Sequence, residues 1–288
     1  VSNPWLDRRV VNFAHQGGSF EGPSSTLAAI EQALANGATA IELDVHATSD
    51  RVLVVCHDET VDRTTNATGQ ICDLTIDQVA ELDNAYWFIE GDQVSPGHDE
   101  HEYLWRGKAP KDHRFGIARL DEVMSSFPGV VLNLDIKRTG PDVEPYEELL
   151  AETLANHHRH DDVIVASFLD SAIAAFRTFS PTTATSAATF ETAMFYRAVQ
   201  AGERPPALDV VAFQVPEMFQ ELTLVDQRFV DAAHEAGIAV HVWTINDETS
   251  MERLLGLGVD GIISDCPTML HAMLGAQAWD GVREDEEA

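Results

Sequence analysis

Glu42 and Asp44 stand two residues apart in IELDVHATSD, near the end of a β-type run, so both side chains project to one face of the strand. Two carboxylates aimed into an interior repel each other and lose hydration unless a cation or donors offset them. A hard divalent ion with oxygen ligands does so directly. Both acids reaching solvent, or pairing with arginine, are the alternatives, and spacing alone leaves them open. LNLDIKR repeats the pattern, with Asp135 and Lys137 sharing a face near the end of an apolar run. Lys108, Lys111 and Lys137 are the only lysines, so one beside an inward acid points to a site more than to a surface. Either Asp135 and Lys137 form a simple ion pair, or Asp135 is a third oxygen ligand and Lys137 neutralises a non-bridging phosphate oxygen.

His15 closes the first β run and is followed by Gln16, Gly17 and Gly18, where the backbone turns at once and can approach a ligand closely. Alone it reads as a hydrogen-bonded rim residue. With His57 it makes a pair of imidazoles for the two sides of a phosphodiester, one taking a proton from the attacking oxygen and one protonating the leaving alkoxide. Cys56 precedes His57, but neighbours in an extended segment point to opposite faces. The three cysteines, Cys56, Cys72 and Cys266, form no close-spaced pair, which argues against a disulfide framework or a zinc site and for a reducing cytoplasm. His157, His158 and His160 suit a surface helix end, and Asp265 suits a cap of the following turn.

The elements that must position these residues alternate. Eight β runs, near 10–14, 38–44, 130–136, 163–167, 184–188, 210–214, 239–244 and 261–264, are separated by stretches of helical pattern, among them 26–35, 146–156, 171–179, 226–236 and 248–255. That order predicts an α/β fold, a (β/α)8 TIM barrel whose active site lies at the C-terminal ends of its strands. A ninth run at 52–56 follows the second strand too closely for a helix. It is expected as an antiparallel hairpin that sets Asp44 opposite His57. Residues 84–119, rich in aromatics, Gly, Pro and acids, read as a βα-loop insertion over the same face, as a lid or as a decoration. We expect one domain over 1–279 and an acidic tail over 280–288.

The formal charge of −30 argues against nucleic acid and anionic lipid surfaces as partners, and leaves phosphate to be met by a local cation. No apolar run nears the roughly 18 residues of a membrane span, and VSNPWLDRRVV has no leader-type apolar stretch. The expectation is a cytoplasmic protein without stable membrane insertion; a leader already removed by processing, and the oligomeric state, stay open.

FAHQGG, GPSST, IELDVHATSD, VLVVCHD, TTNATG, LDIK, HVWTIND and GVDGIISDCP together resemble the glycerophosphodiester phosphodiesterase family from about Val10 to Pro267. The resemblance implies a (β/α)8 barrel with one divalent cation, Ca²⁺ or Mg²⁺ with Mn²⁺ as a further option, at Glu42, Asp44 and Asp135. It implies His15 and His57 as the acid–base pair. Lys137 matches the lysine that holds phosphate, and Trp243 an aromatic of the pocket floor or glycerol subsite, with barrel packing as the alternative. The implied substrate is a small phosphodiester, a glycerophosphodiester split into glycerol 3-phosphate and an alcohol. Gln16 replaces the usual arginine and Ser24–Ser25 the usual Glu-Asn, so a neutral amide stands where a charged fork would meet phosphate. Glu21 is a candidate compensating acid. Asp135 replaces the more usual glutamate. Two other functions remain: a lysophospholipase D or sphingomyelinase D-like lipid phosphodiesterase, with Trp87, Phe88, Tyr103 and Trp105 supplying an apolar cleft, and a non-catalytic phosphate-binding barrel.

Overall fold

The computed structural model describes residues 3–8, 10–92, 96–137 and 146–275; the expected acidic tail lies outside them. Eight parallel strands form the barrel: β1 (Val11–His15), β2 (Ala40–Ala47), β4 (Val131–Ile136), β5 (Val163–Ala166), β6 (Ala184–Thr185), β7 (Ala212–Pro216), β10 (Ala239–Trp243) and β11 (Gly261–Ser264). Their order is β6-β5-β4-β2-β1-β11-β10-β7. A parallel bridge between Ser186 and Ala212 links β6 to β7, which brings the barrel nearly to closure. The expected strand at 184–188 is thus regular only at its start.

Apolar β runs buried on both faces fit a sheet enclosed by helices. Outward residues such as Ile41, Leu43, Leu132 and Leu134 pack beneath the helices of one half, and Phe213, Val240 and Ile262 beneath those of the other. Inward residues Phe13, Ala40, Ile164, Ala239 and Ile263 fill the barrel. The short helix α1 (Pro4–Asp7) joins this inner cluster through the buried Trp5. Capping sets where the outer helices begin: Thr26 starts α2 (Leu27–Ala35), Asp226 starts α8 (Gln227–Glu235) and Asp247 starts α9 (Glu248–Leu257), each accepting from a backbone N–H of the first turn. Two further helices, α5 (Tyr146–Asn156) and α6 (Asp170–Phe179), fall where the apolar spacing placed them. Helix α7 (Thr189–Ala201) and a two-stranded ribbon of β8 (Met218–Phe219) and β9 (Leu222–Thr223) had no such signal.

The hairpin is present with a register one residue from the expected one. Strand β3 (Leu53–Val55) pairs antiparallel with the end of β2, Val45 against Val55 and Ala47 against Leu53. Asp44 therefore lies opposite Cys56, whose N–H donates to the Asp44 carbonyl at 3.0 Å. The turn is closed by Thr48, which accepts from Val52 N at its hydroxyl and donates from its own N–H to the Val52 carbonyl, with Arg51 at φ 66°. That centres the ribbon on residue 50 itself. His57 lies beyond the last pair and still reaches the barrel mouth.

Residues 84–119 follow α3 (Ile76–Ala80) and lead into α4 (Leu120–Ser126). The described part of this segment, 84–92 and 96–119, folds around its own aromatics. The Arg106 guanidinium stacks between Tyr86, Trp87 and Tyr103 at 4.1 to 4.8 Å, and the Lys108 ammonium sits 4.2 Å from the Trp105 ring. Phe88 and Tyr103 are buried.

Candidate active site

Each barrel strand delivers side chains to the mouth at its C-terminal end. His15 comes from the end of β1, Glu42 and Asp44 from β2, Asp135 from β4, and Trp243 from the end of β10. Lys137 follows β4, and His57 arrives from beyond the hairpin. All seven line one cleft of about 550 Å³.

Lys137 holds the centre of the acidic group, its ammonium 2.9 Å from Asp44 Oδ1 and 2.7 Å from Asp135 Oδ2. Burial opposes the charge on Lys137, yet the Asp44 and Asp135 carboxylates raise its pKa above the ordinary lysine value. The second oxygens, Asp44 Oδ2 and Asp135 Oδ1, are buried without a hydrogen-bond partner. Burial also pushes Asp135 up, against the pull of Lys137. Glu42 is lifted to about 8 by burial and then by Asp44, with His15 and Lys137 opposing. Among the described residues no three His, Cys, Asp or Glu side chains stand as a ready-formed metal cage, and an ammonium sits between two of the three acids. The donor chemistry nevertheless fits a hard cation: two buried carboxylate oxygens lack a partner, and a third acid in the cleft, Glu42, is buried beside Asp44.

Each histidine is oriented by an aspartate. His15 donates through Nδ1 to Asp265 Oδ1 at 2.6 Å. Asp265 also accepts from the Ser19 hydroxyl and from Asn246 Nδ2 at 2.7 Å, while its own N–H donates to Asn246 Oδ1 at 2.8 Å. Burial works against a charged His15 ring, but the Asp265 hydrogen bond and the Glu42, Asp265 and Asp44 carboxylates outweigh it and raise its pKa to about 9. Its Nε2 lies 3.8 Å from Glu42 Oε2. His57 donates through Nδ1 to Asp58 Oδ1 at 2.6 Å, and Arg63 clamps Asp58 from the other side at 2.7 and 3.3 Å. His57 first, then Arg63, holds the Asp58 carboxyl well below the usual range against a burial penalty. The two imidazole rings are 6.2 Å apart, centroid to centroid.

The remaining expected residues divide. Trp243 lines the cleft and meets Phe168 edge-on at 5.5 Å. Gln16 does not line it. The residue adopts φ 53°, is buried, donates its N–H to Glu42 Oε2 at 3.2 Å, and brings its side-chain amide nitrogen within hydrogen-bond distance of His15 Nε2, at 3.2 Å. Ser24 and Ser25 are buried in the same turn, Ser25 N–H donating to the Gln16 carbonyl at 2.8 Å. Glu21 faces away, accepting from Thr268 N–H at 3.0 Å and from its hydroxyl at 2.6 Å. Asp265, expected as a cap, instead orients His15. The insertion aromatics Trp87, Phe88, Tyr103 and Trp105 contribute nothing to the cleft walls, since Arg106 and Lys108 hold them in a cluster of their own. Asp58, Arg63, Asn246, Asp265 and Phe168 join the site without a functional signal of their own in the sequence. The first two stood in view, Asp58 directly after His57 and Arg63 at the head of the TTNATG turn.

The sequence matches the model of the Glycerophosphoryl diester phosphodiesterase family over residues 15–269. It is 30% identical to the glycerophosphodiester phosphodiesterase of Caldanaerobacter subterraneus subsp. tengcongensis over 89% of this chain and 94% of that one. It is 29% identical to the glycerophosphodiester phosphodiesterase of Bacillus subtilis (strain 168), over 91% and 86%. The fold superposes with a TM-score of 0.69 and 25% identity on a phosphodiesterase from Oleispira antarctica in complex with the product sn-glycerol-3-phosphate, covering 91% of this chain and 96% of that one. A match that runs from the rim histidine closing β1 to the helix after the last strand makes this chain a phosphoric diester hydrolase that belongs to the glycerophosphoryl diester phosphodiesterase family.

Proposed function

We propose that the chain hydrolyses glycerophosphodiesters to glycerol 3-phosphate and an alcohol such as choline, ethanolamine or glycerol, using one divalent cation, Ca²⁺ or Mg²⁺ with Mn²⁺ as a further option. The observation that carries this reading is the pair of aspartate-anchored imidazoles 6.2 Å apart in the cleft that holds the acidic group. The product found in the Oleispira antarctica relative supports the glycerol 3-phosphate half.

Glu42, Asp44 and Asp135 would hold the cation, which supplies Lewis-acid stabilisation of charge on the phosphoryl oxygens. Lys137 offers its ammonium to a non-bridging phosphate oxygen. Because Nδ1 of each histidine is committed to an aspartate, Nε2 is the atom that exchanges protons with substrate. One imidazole takes the proton of the attacking oxygen, from water or from the adjacent glycerol hydroxyl, and the other protonates the leaving alkoxide. Trp243 packs against the glycerol unit. The compartment we propose is the reducing cytoplasm, in keeping with three free cysteines; among the described residues no helix is long and apolar enough to cross a membrane.

A panel of glycerophosphodiesters assayed with Ca²⁺, Mg²⁺, Mn²⁺ and chelator tests the reading, with His15→Ala and His57→Ala as the decisive variants. Each is expected to lower kcat by about 100- to 10,000-fold. Wild-type rates in both variants, or full activity in chelator, reject it.

A further inference from the structure

Beyond the acidic centre the cleft continues as an apolar arm that short glycerophosphodiesters do not fill. One wall is helix α7, through Thr192, Ala193, Tyr196 and, at its edge, the cation of Arg197; the other is the β8–β9 ribbon, through Phe219 and Leu222. The ribbon pairs Phe219 with Leu222 and Met218 with Thr223, around a two-residue turn with Gln220 at φ 55°. Pairing of that kind puts Phe219 and Leu222 on one face, the face turned to the cleft. The walls are tied together, since the Tyr196 hydroxyl donates to the Thr223 carbonyl at 3.2 Å and Arg253 pairs with Glu217 at the foot of the ribbon.

Phe168 forms the junction with the reactive centre. Its ring stands edge-on to Trp243 at 5.5 Å and lies 5.6 Å from the Lys137 ammonium. Phe168, Phe219 and Leu222 are 56%, 59% and 51% exposed. Large apolar side chains left this open, contiguous, and continuous with a reactive cleft mark a ligand-binding surface. The net charge of −30 works against the approach of an extended anionic surface, a second copy of this chain included. A neutral hydrocarbon chain carries no such penalty.

We infer that the arm receives the single acyl or alkyl chain of a lipid phosphodiester, a glycerophosphodiester of the lysophospholipid class whose phosphate lies at Lys137. The inference rests on the hydrolytic reading above. An oxygen of water, or of a substrate hydroxyl, bonds to phosphorus, and the P–O bond to the head-group alcohol breaks. The proton lost by the attacking oxygen is balanced by the one given to the leaving alkoxide, and the hydrocarbon chain stays with the phosphate product. Phe168 selects the chain at the point where it leaves the polar centre.

Binding and turnover are measured separately. Full-length, chelator-treated protein is titrated with n-alkyl phosphocholines of six, eight and ten carbons, held below their micelle-forming concentrations, by calorimetry. Each methylene taken out of water is worth roughly a four-fold gain, so the dissociation constant is expected to fall at least about ten-fold across the series. Phe219→Ser combined with Leu222→Ser, and Ala193→Trp, which fills the arm from an exposed helix position, are expected to flatten that dependence. In the metal-loaded enzyme both are expected to lower the ratio of kcat/KM for a lysophospholipid to that for glycerophosphocholine by about the same factor. Far-UV dichroism and melting establish that each variant is folded. Equal affinity for all three chain lengths, or an unchanged ratio in both folded variants, overturns the inference. So does binding to phosphatidylcholine vesicles, or self-association, that requires Phe219 and Leu222 while the monomeric series stays flat. Chain-length-dependent binding with no hydrolysis of any diester leaves the arm assigned and removes the hydrolytic reading instead.

Discussion

Replacing Asp265 by asparagine isolates what that carboxylate does for His15. Asp265 accepts from His15, Ser19 and Asn246 and donates nothing from its side chain. An asparagine keeps one acceptor oxygen and must present an amide to at least one of those donors. His15 then loses one of the charges and part of the hydrogen bonding that, together with Glu42 and Asp44, lift its pKa from 6.5 to about 9, a total shift equivalent to about 3 kcal/mol of which Asp265 supplies a share. The sign follows from the raised value. A charged His15 stabilises the folded protein fully below pH 6.5, and this contribution disappears as pH climbs through about 9. The destabilisation of Asp265→Asn, measured by urea unfolding of chelator-treated protein, is therefore expected to be largest near pH 6 and to shrink towards pH 9.5. In the same protein the His15 titration seen by NMR drops by at least about one unit. Catalysis suffers more: an imidazole whose carboxylate partner becomes an amide loses up to about 10,000-fold in kcat where it serves as the acid or base. A His15 titration that does not move, together with wild-type kcat, refutes the positioning role.

Lys137→Met removes the ammonium shared by Asp44 and Asp135 and leaves two buried carboxylates facing each other. Urea unfolding of the chelator-treated variant at pH 8 is expected to show a loss of about 3 kcal/mol, and Mg²⁺ or Ca²⁺ is expected to restore more stability to it than to the wild type; equal stability in chelator counts against the ion pair. His241 lies fully buried in the barrel, where burial lowers its pKa to about 3. The unfolded chain takes up that proton below about pH 6.5 and the folded one does not, so stability falls as pH drops from 6.5 towards 3. His241→Phe is expected to reduce this slope by up to about 1.4 kcal/mol per pH unit, measured by unfolding at pH 6.5 and 4.5; an unchanged slope shows the ring already charged in the folded state.

The barrel is legible because its strands are short apolar runs, and some carry a polar residue at or next to the end, His15 closing β1 and Asp135 one residue before the end of β4 being the plainest. Parity in a hairpin is another matter: whether Asp44 meets Cys56 or His57 turns on one side chain, Thr48, closing an odd-numbered turn. Helix α7 was missed because few of its side chains are buried, Phe195 and Val199 among them, while Phe190 and Met194 face outward and blur the period. Aromatic composition alone points to the insertion as the apolar wall of the cleft. Composition there could not reveal that Arg106 and Lys108 turn those rings upon one another. Phe168, Phe219 and Leu222, which do face the cleft, are scattered along the chain and look like ordinary loop residues.

Charge balance explains why the supporting residues escaped while the acids did not. A sequence displays Glu42, Asp44, Asp135 and Asp265 as single letters, but only the fold shows that all four surround one lysine and one histidine. With every acid ionised and His15 charged, four negative charges meet two positive ones, and the centre is short of positive charge by the amount one divalent ion carries. Without an ion, the deficit falls on the weakest member, and Glu42 responds by holding its proton up to about pH 8. Lys137 is then a partial stand-in, able to satisfy one oxygen on each of two aspartates and leaving Asp44 Oδ2 and Asp135 Oδ1 without a donor. A centre that cannot neutralise itself from its own side chains carries a folding cost, and the carboxylates left without a donor are the ones that bear it.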